Sequence, residues 1–172
     1  GVTAGEGMVD VASYRLATHL GLAFTILGLI AWYAFQLARP ERDLMQARRS
    51  KEARLFSIST GLMHFAFLQI LIGALVAGID AGRSYTDWPL MGGQVFPVSA
   101  LALEPWWRNL FESPGFVQFV HRMTGYLLFV FAVVVWSRGR KSAHPKTRFA
   151  FHAMLSAMAL QIALGIVTVV YG

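Results

Sequence analysis

The 172 residues are 56% apolar and only 14% charged, with mean hydropathy +0.52, whereas about a quarter of an ordinary soluble domain is charged. The chain has no cysteine. That excludes disulfides, iron–sulfur clusters and thiolate-held zinc, and leaves the five histidines as the ligands for any redox metal. The net charge of +6 and pI near 10.2 do not indicate nucleic acid, because the basic residues collect in two loops between apolar runs.

Gly1 opens the chain with neither a methionine nor a signal peptide, so the sequence reads as a segment of something larger with its upstream part missing. Residues 1–40 read as an outer N-terminal segment and a first span, Leu16 to Leu37. Residues 41–55 form a basic linker. Residues 56–172 hold three more spans, Phe56 to Ile79, Val117 to Trp136 and Phe149 to Tyr171, with a long loop over 80–116. Each apolar run is long enough to cross about 30 Å of hydrocarbon. The expected fold is therefore all-α, a polytopic membrane protein with four transmembrane helices in a bundle.

Eleven of the fifteen Lys and Arg residues lie in the first–second loop (Arg39, Arg42, Arg48, Arg49, Lys51, Arg54) and the third–fourth loop (Arg138, Arg140, Lys141, Lys146, Arg148). By the positive-inside rule both loops face the cytoplasm, which puts both termini and the loop 80–116 on the outer side. Trp32, Trp88, Trp106, Trp107 and Trp136 fall near span ends or in that outer loop, where indoles sit among headgroups. The outer loop is rich in aromatics and prolines and reads as a lid over a site, with a purely interfacial anchor as the alternative. Leu68-Gln69-Ile70 with Gly73 in the second span is echoed by Leu160-Gln161-Ile162 with Gly165 in the fourth. The glycines allow close helix approach, and a glutamine at matched depth suggests a bond across the bundle.

His19 and His121 lie at similar depth inside the outer ends of their spans, each beside an arginine, Arg15 one turn outward and Arg122 adjacent. Imidazoles in a membrane are costly, and a pair at one level can ligate one haem iron, with the arginines meeting its propionates. The alternative is that each bonds a neighbouring helix and binds nothing. His64 and His152, near the cytoplasmic ends of their spans, could form a second pair but read better as hydrogen-bonded or snorkelling side chains. His144 reads as solvated. Asp80 and Asp87, at the outer border, read as helix-end or loop residues. There is no P-loop, Gly-x-Gly-x-x-Gly, His-Glu-x-x-His or Gly-x-Ser-x-Gly pattern.

Six runs in order carry a resemblance. They are Tyr14-Arg15-Leu16-Ala17-Thr18-His19-Leu20-Gly21, Leu75-Val76-Ala77-Gly78-Ile79-Asp80-Ala81-Gly82 and Trp88-Pro89-Leu90-Met91. Pro105-Trp106-Trp107-Arg108-Asn109-Leu110-Phe111-Glu112, Gln118-Phe119-Val120-His121-Arg122 and the Leu-Gln-Ile-Ala-Leu-Gly-Ile run from Leu160 complete the set. Together they resemble the haem A synthase family nearly end to end. The resemblance implies an eight-span protein of two similar four-helix halves, each binding one haem between two histidines, that oxidises a methyl group of haem O to the formyl of haem A for cytochrome oxidase. It places this chain at the fourth to seventh spans. His19 and His121 then ligate two different haems, His19 the substrate haem and His121 a haem B cofactor, and not one shared iron as depth alone suggested.

The same resemblance puts the catalytic Glu-x-x-His-Arg helix upstream of Gly1, so the catalytic residue is unknown here and the segment alone is expected to be inactive. Gln118 stands where that motif has its glutamate, and an amide cannot exchange protons near neutral pH. Asp80, Trp88, Arg108, Asn109 and Arg122 are expected to close the site or bind propionates. An electron donor, membrane lipid, haem O synthase and oxidase-assembly proteins are the expected partners, with no nucleic acid. The absence of paired outer-loop cysteines matches the branch found in alphaproteobacteria and mitochondria, and the expected location is the inner membrane of a bacterium ahead of that of a mitochondrion. Two other classes use the same residues: a b-type cytochrome that moves electrons without altering its haem, and a non-redox scaffold or transporter half with hydrogen-bonded histidines.

Overall fold

The computed structural model describes residues 13–171; the N-terminal segment expected before the first span otherwise lies outside them. Among the described residues there are six α-helices: α1 Ser13–Leu37, α2 Glu41–Arg49, α3 Ala53–Gly78, α4 Asn109–Glu112, α5 Pro114–Gly139 and α6 Pro145–Tyr171. Four of them, α1, α3, α5 and α6, are long and apolar enough to cross a membrane. The fold is all-α and polytopic, as the apolar runs predict. The helices outrun those runs at several ends because a helix continues for a turn into polar residues that hydropathy does not register.

One segment departs from expectation. The basic linker contains α2, with Glu41 and Asp43 in its first turn and Arg48 and Arg49 in its last. Each charge opposes the partial charge of the nearer helix end, which is why so polar a stretch forms a helix at all.

The long helices alternate in direction, which creates a basic face, bearing the two basic loops, and a loop face, bearing residues 80–113. Extensive contacts run in series, α1 on α3, α3 on α5 and α5 on α6. Near the basic face Leu62, Leu128, Ala132 and Val135 are buried together, with Phe65, Phe151, Met154 and Leu155 packed against them, so α3, α5 and α6 share a core. Glu52 ties the two basic loops by accepting from the Ser142 hydroxyl at 2.5 Å and the Ala143 amide at 3.2 Å. These bonds hold its carboxyl below the usual carboxylate range.

Helix α3 is the divider. Phe67 and Leu71 meet α1, since a Cβ on buried Gly21 would lie within 2.8 Å of Leu71 and 3.7 Å of Phe67. Gln69 and Gly73 meet α5. Two residues advance a helix by about 200°, so α1 and α5 lie on opposite sides of α3.

On the loop face, the chain between α3 and α5 is folded and not an idle tether. Asp80 breaks α3 in the left-handed region with φ 51°, a conformation that aspartate tolerates better than most side chains. A turn at Gly92 and Gly93, both with positive φ, closes the backbone pair between Met91 and Gln94. Met91 and Pro97 are fully buried, and Phe96 packs edge-on to Phe119 of α5 at 4.9 Å. Ser113 then caps α5: its hydroxyl accepts from the Phe116 amide and donates to the Ala100 carbonyl at 2.6 Å.

Candidate functional site

The polar residues of α5 fall on two faces. The first carries Gln118, Arg122 and Tyr126, four residues apart and therefore in one row. Gln118 Nε2 donates to the carbonyls of Tyr85 at 2.8 Å and Gly82 at 3.3 Å. Arg122 donates to the carbonyls of Asp87 at 2.9 Å, Leu90 at 3.0 Å and Tyr85 at 2.9 Å. The Tyr126 hydroxyl accepts from Trp88 Nε1 at 2.8 Å. This row staples residues 82–90 to the helix. Unpaired backbone carbonyls in an apolar setting cost several kcal/mol each, which explains why a buried arginine and a buried glutamine stand there.

Gln118 also receives a physical reason for not being glutamate. Its amide nitrogen faces two carbonyl oxygens, and a carboxylate would present oxygen to oxygen. Its own Oε1 is buried without a partner among the described residues.

The second face of α5 carries His121, Thr124 and Gly125, all toward α3. Gln69 Nε2 lies 3.1 Å from His121 Nδ1 and 2.9 Å from the His121 carbonyl oxygen. Gln69 Oε1 accepts from the Thr124 hydroxyl at 2.6 Å. A Cβ on Gly73 would meet His121 Cε1 at 3.2 Å, and one on Gly125 would meet Gln69 Nε2 at 3.2 Å. Each glycine is thus the notch for the polar side chain of the opposite helix. No hydrogen bond among the described residues reaches His121 Nε2. The glutamine bond across helices suggested by the repeat is present for Gln69. Its counterpart Gln161 is exposed, and nothing stands within 4 Å of a Cβ on Gly165.

His19 and Arg15 are exposed on α1. His19 is two residues from Gly21, which faces α3, so it points away from α3, while His121 packs on the far side of that helix. The two imidazoles therefore cannot share an iron within this chain, and depth alone was misleading.

The remaining predicted residues have local partners. Asn109, buried, binds the Leu103 amide and carbonyl and the Trp106 carbonyl through its side chain. Arg108 pairs with Glu112 at 2.5 Å and reaches the Glu104 carbonyl at 3.3 Å; the pairing raises the arginine and lowers the glutamate from their usual ranges. Asp80 and the Asp87 main chain serve the loop as described, and the Asp87 carboxylate accepts from the amides of Gly92 at 2.9 Å and Gly93 at 3.1 Å.

At the other end, His64 Nδ1 donates to the Thr60 carbonyl at 2.8 Å, and His152 Nδ1 accepts from Trp136 Nε1 at 3.1 Å. Both are engaged as hydrogen-bonded histidines. Among the described residues no group of three or more His, Cys, Asp or Glu could hold a bare metal ion.

A chain with an imidazole held between intramembrane helices, under a stapled loop, can be set beside known proteins. The family described as cytochrome oxidase assembly protein matches residues 1–172. The chain belongs to that family. Curated family members named heme A synthase are similar to it: that of Roseobacter denitrificans is 73% identical over 172 residues, all of this chain and 45% of its own length. That of Ruegeria sp. (strain TM1040) is 72% identical over 98% of this chain and 44% of its own, and that of Paracoccus denitrificans 65% identical over 98% and 44%. The chain thus spans less than half the length of these relatives. No solved structure matches it. Family membership and the four long apolar helices together describe an integral membrane protein of the cytochrome oxidase assembly family.

Proposed function

We propose that this chain is a segment of a haem A synthase that oxidises a methyl group of haem O to the formyl of haem A, with haem B as cofactor and His121 as its iron ligand. One observation carries the assignment of His121. Its ring occupies the notch at Gly73, with Nδ1 against Gln69 and Nε2 without a partner among the described residues. Axial ligation of an iron porphyrin asks for such a nitrogen on a stiff helix, in a site that excludes bulk water. Among the described residues a donor set without thiolates or clustered carboxylates also suits haem better than a bare ion.

When bound, haem B would supply one-electron transfer between an external donor and the substrate haem. His19, on the opposite side of α3, is the ligand for haem O, and exposed Arg15 is one turn away for the propionates. Asp80, Trp88, Arg108, Asn109 and Arg122 hold the loop closed over the end of the site, with Arg122 giving its donors to backbone carbonyls. Gln118 moves no proton, so acid–base chemistry is not assigned to this face of α5.

The basic face is cytoplasmic by the positive-inside rule, which places the loop face outside the inner membrane of a bacterium. Haem O synthase, oxidase-assembly proteins and membrane lipid are the proposed neighbours.

The test is spectral. In the full-length protein His121→Ala removes haem B, read as a diminished Soret band and as haem B missing from extracted pigment; an unchanged spectrum and haem B content overturn the assignment. Extracted pigment from the unaltered protein contains haem O or its oxidised products. Haem B alone would make it an electron-transferring cytochrome, and a colourless protein after haem supplementation would make it a scaffold.

A further inference from the structure

The contact between Gln69 and His121 has a chemical sign. The amide nitrogen only donates, so at 3.1 Å from His121 Nδ1 it meets an accepting nitrogen, and the neutral ring then carries its proton on Nε2. A protonated nitrogen cannot ligate iron. For Nε2 to become a ligand the proton must leave it and Nδ1 must gain one, and Nδ1–H then needs an acceptor. The acceptor within reach is Gln69 Oε1, brought round by a half-turn of the amide.

The surroundings permit that turn. Thr124 Oγ1 lies 2.6 Å from Gln69 Oε1 and 2.7 Å from the Val120 carbonyl. Its hydroxyl can donate to Oε1, as it does here, or donate to Val120 and accept from the amide nitrogen after the turn. The price is local: Oε1 would then stand where the amide nitrogen now lies, 2.9 Å from the His121 carbonyl oxygen, so two acceptors face each other. The turned setting therefore holds only while something keeps the proton on Nδ1.

We propose that Gln69 is a positioning residue with two amide settings, nitrogen toward Nδ1 when His121 is without iron and oxygen toward Nδ1 when Nε2 is a ligand, with Thr124 as the hydroxyl that serves both. The ring loses a proton from Nε2 and gains one at Nδ1, so this exchange is neutral overall. Gly73 and Gly125 keep the space in which ring and amide meet. The inference rests on the reading of His121 as an iron ligand.

The test uses full-length protein with ¹⁵N-labelled histidine, in detergent. Without haem, the His121 ring shows Nδ1 unprotonated; in the diamagnetic ferrous low-spin form Nδ1 is protonated. Gln69→Leu gives mixed tautomers without haem and lowers haem affinity about ten- to hundredfold, the usual scale for losing a partner of a metal-bound histidine. Gln69→Glu, which keeps the shape and only accepts when ionised, protonates Nδ1 even without haem, and supplies a second reading should the leucine variant fail to fold.

Nδ1 protonated in the haem-free wild type overturns the inference. So does a Gln69→Leu protein that binds haem B as tightly as wild type while His121→Ala binds no haem B, an outcome that leaves the haem assignment standing. Retention of haem B by His121→Ala overturns both.

Discussion

Gln69 and His121 occupy each other's notches: the amide of one sits over Gly125 and the imidazole of the other over Gly73. In each helix the polar residue and the glycine are four apart, and α3 and α5 run antiparallel, so the two pairs meet in opposite order. Small residues let helix backbones approach in a membrane, where no hydrophobic force presses helices together and packing and hydrogen bonds must do so. Here the space they leave is taken by polar side chains, and the contact that joins the helices also orients the imidazole.

Filling a notch should separate the two. Gly125→Val places its Cβ 3.2 Å from the amide nitrogen of Gln69, which costs about 1–3 kcal/mol if the helices shift to relieve it. Unfolding in detergent reads the loss, and the crosspeak of the Gln69 side-chain amide should move. An unchanged amide environment would mean that α3 and α5 do not meet in this register.

Arg122 is expected to be the strongest single hold on the loop. It bonds three carbonyls from three residues, and bonds to a charged donor contribute about 1.5–3 kcal/mol each. Arg122→Leu should therefore cost about 4 kcal/mol or more and open residues 85–90 to hydrogen exchange and protease. Arg122→Lys keeps the charge but not the fork and should recover only part. Protection of residues 85–90 at wild-type level in the leucine variant would show that the aromatic contacts of Phe96 hold the loop without the arginine.

The spans were legible because a run of some twenty apolar residues has few other uses, and the four long helices contain all of them but Ile79, which lies just past the end of α3. Helix α2 was not read as a helix, although Glu41, Asp43, Arg48 and Arg49 carried a helix-dipole signal that the count of basic residues obscured. The row of Gln118, Arg122 and Tyr126 was present as a spacing of four. Its targets are backbone carbonyls, which leave no mark in a sequence, so Gln118 was legible as a missing acid and not as a donor. His19 and His121 show the same limit: depth along a helix can be counted from residue numbers, but which side of α3 each helix packs against cannot. Gln69 was marked by its echo at Gln161, yet nothing in either run names histidine as the partner.

Replacing Gln118 by glutamate tests why an amide stands there. A carboxylate would face the carbonyls of Gly82 and Tyr85 with no proton to donate unless it stayed neutral. Gln118→Glu should therefore loosen residues 82–85 at neutral pH and restore them in acid, where the protonated carboxyl can donate. Exchange protection of residues 82–90 measured against pH checks this. Equal protection of the two proteins at neutral pH would mean the loop does not depend on this donor.

Asp87 gives the loop face its own pH dependence. Its carboxylate takes the amides of Gly92 and Gly93; these bonds, Gly92 first and then Gly93, hold its carboxyl below the usual aspartate range. A carboxyl depressed in the folded state stabilises that state above its unfolded value, about 3.9, and the contribution is lost as pH falls through the lower folded value. The turn is therefore fully held at neutral pH and loosens only below about pH 4. The amide proton shifts of Gly92 and Gly93 should stay constant down to that range and then move together, and Asp87→Asn should abolish the transition. A midpoint at or above the ordinary aspartate value would mean that the carboxylate does not cap this turn in solution.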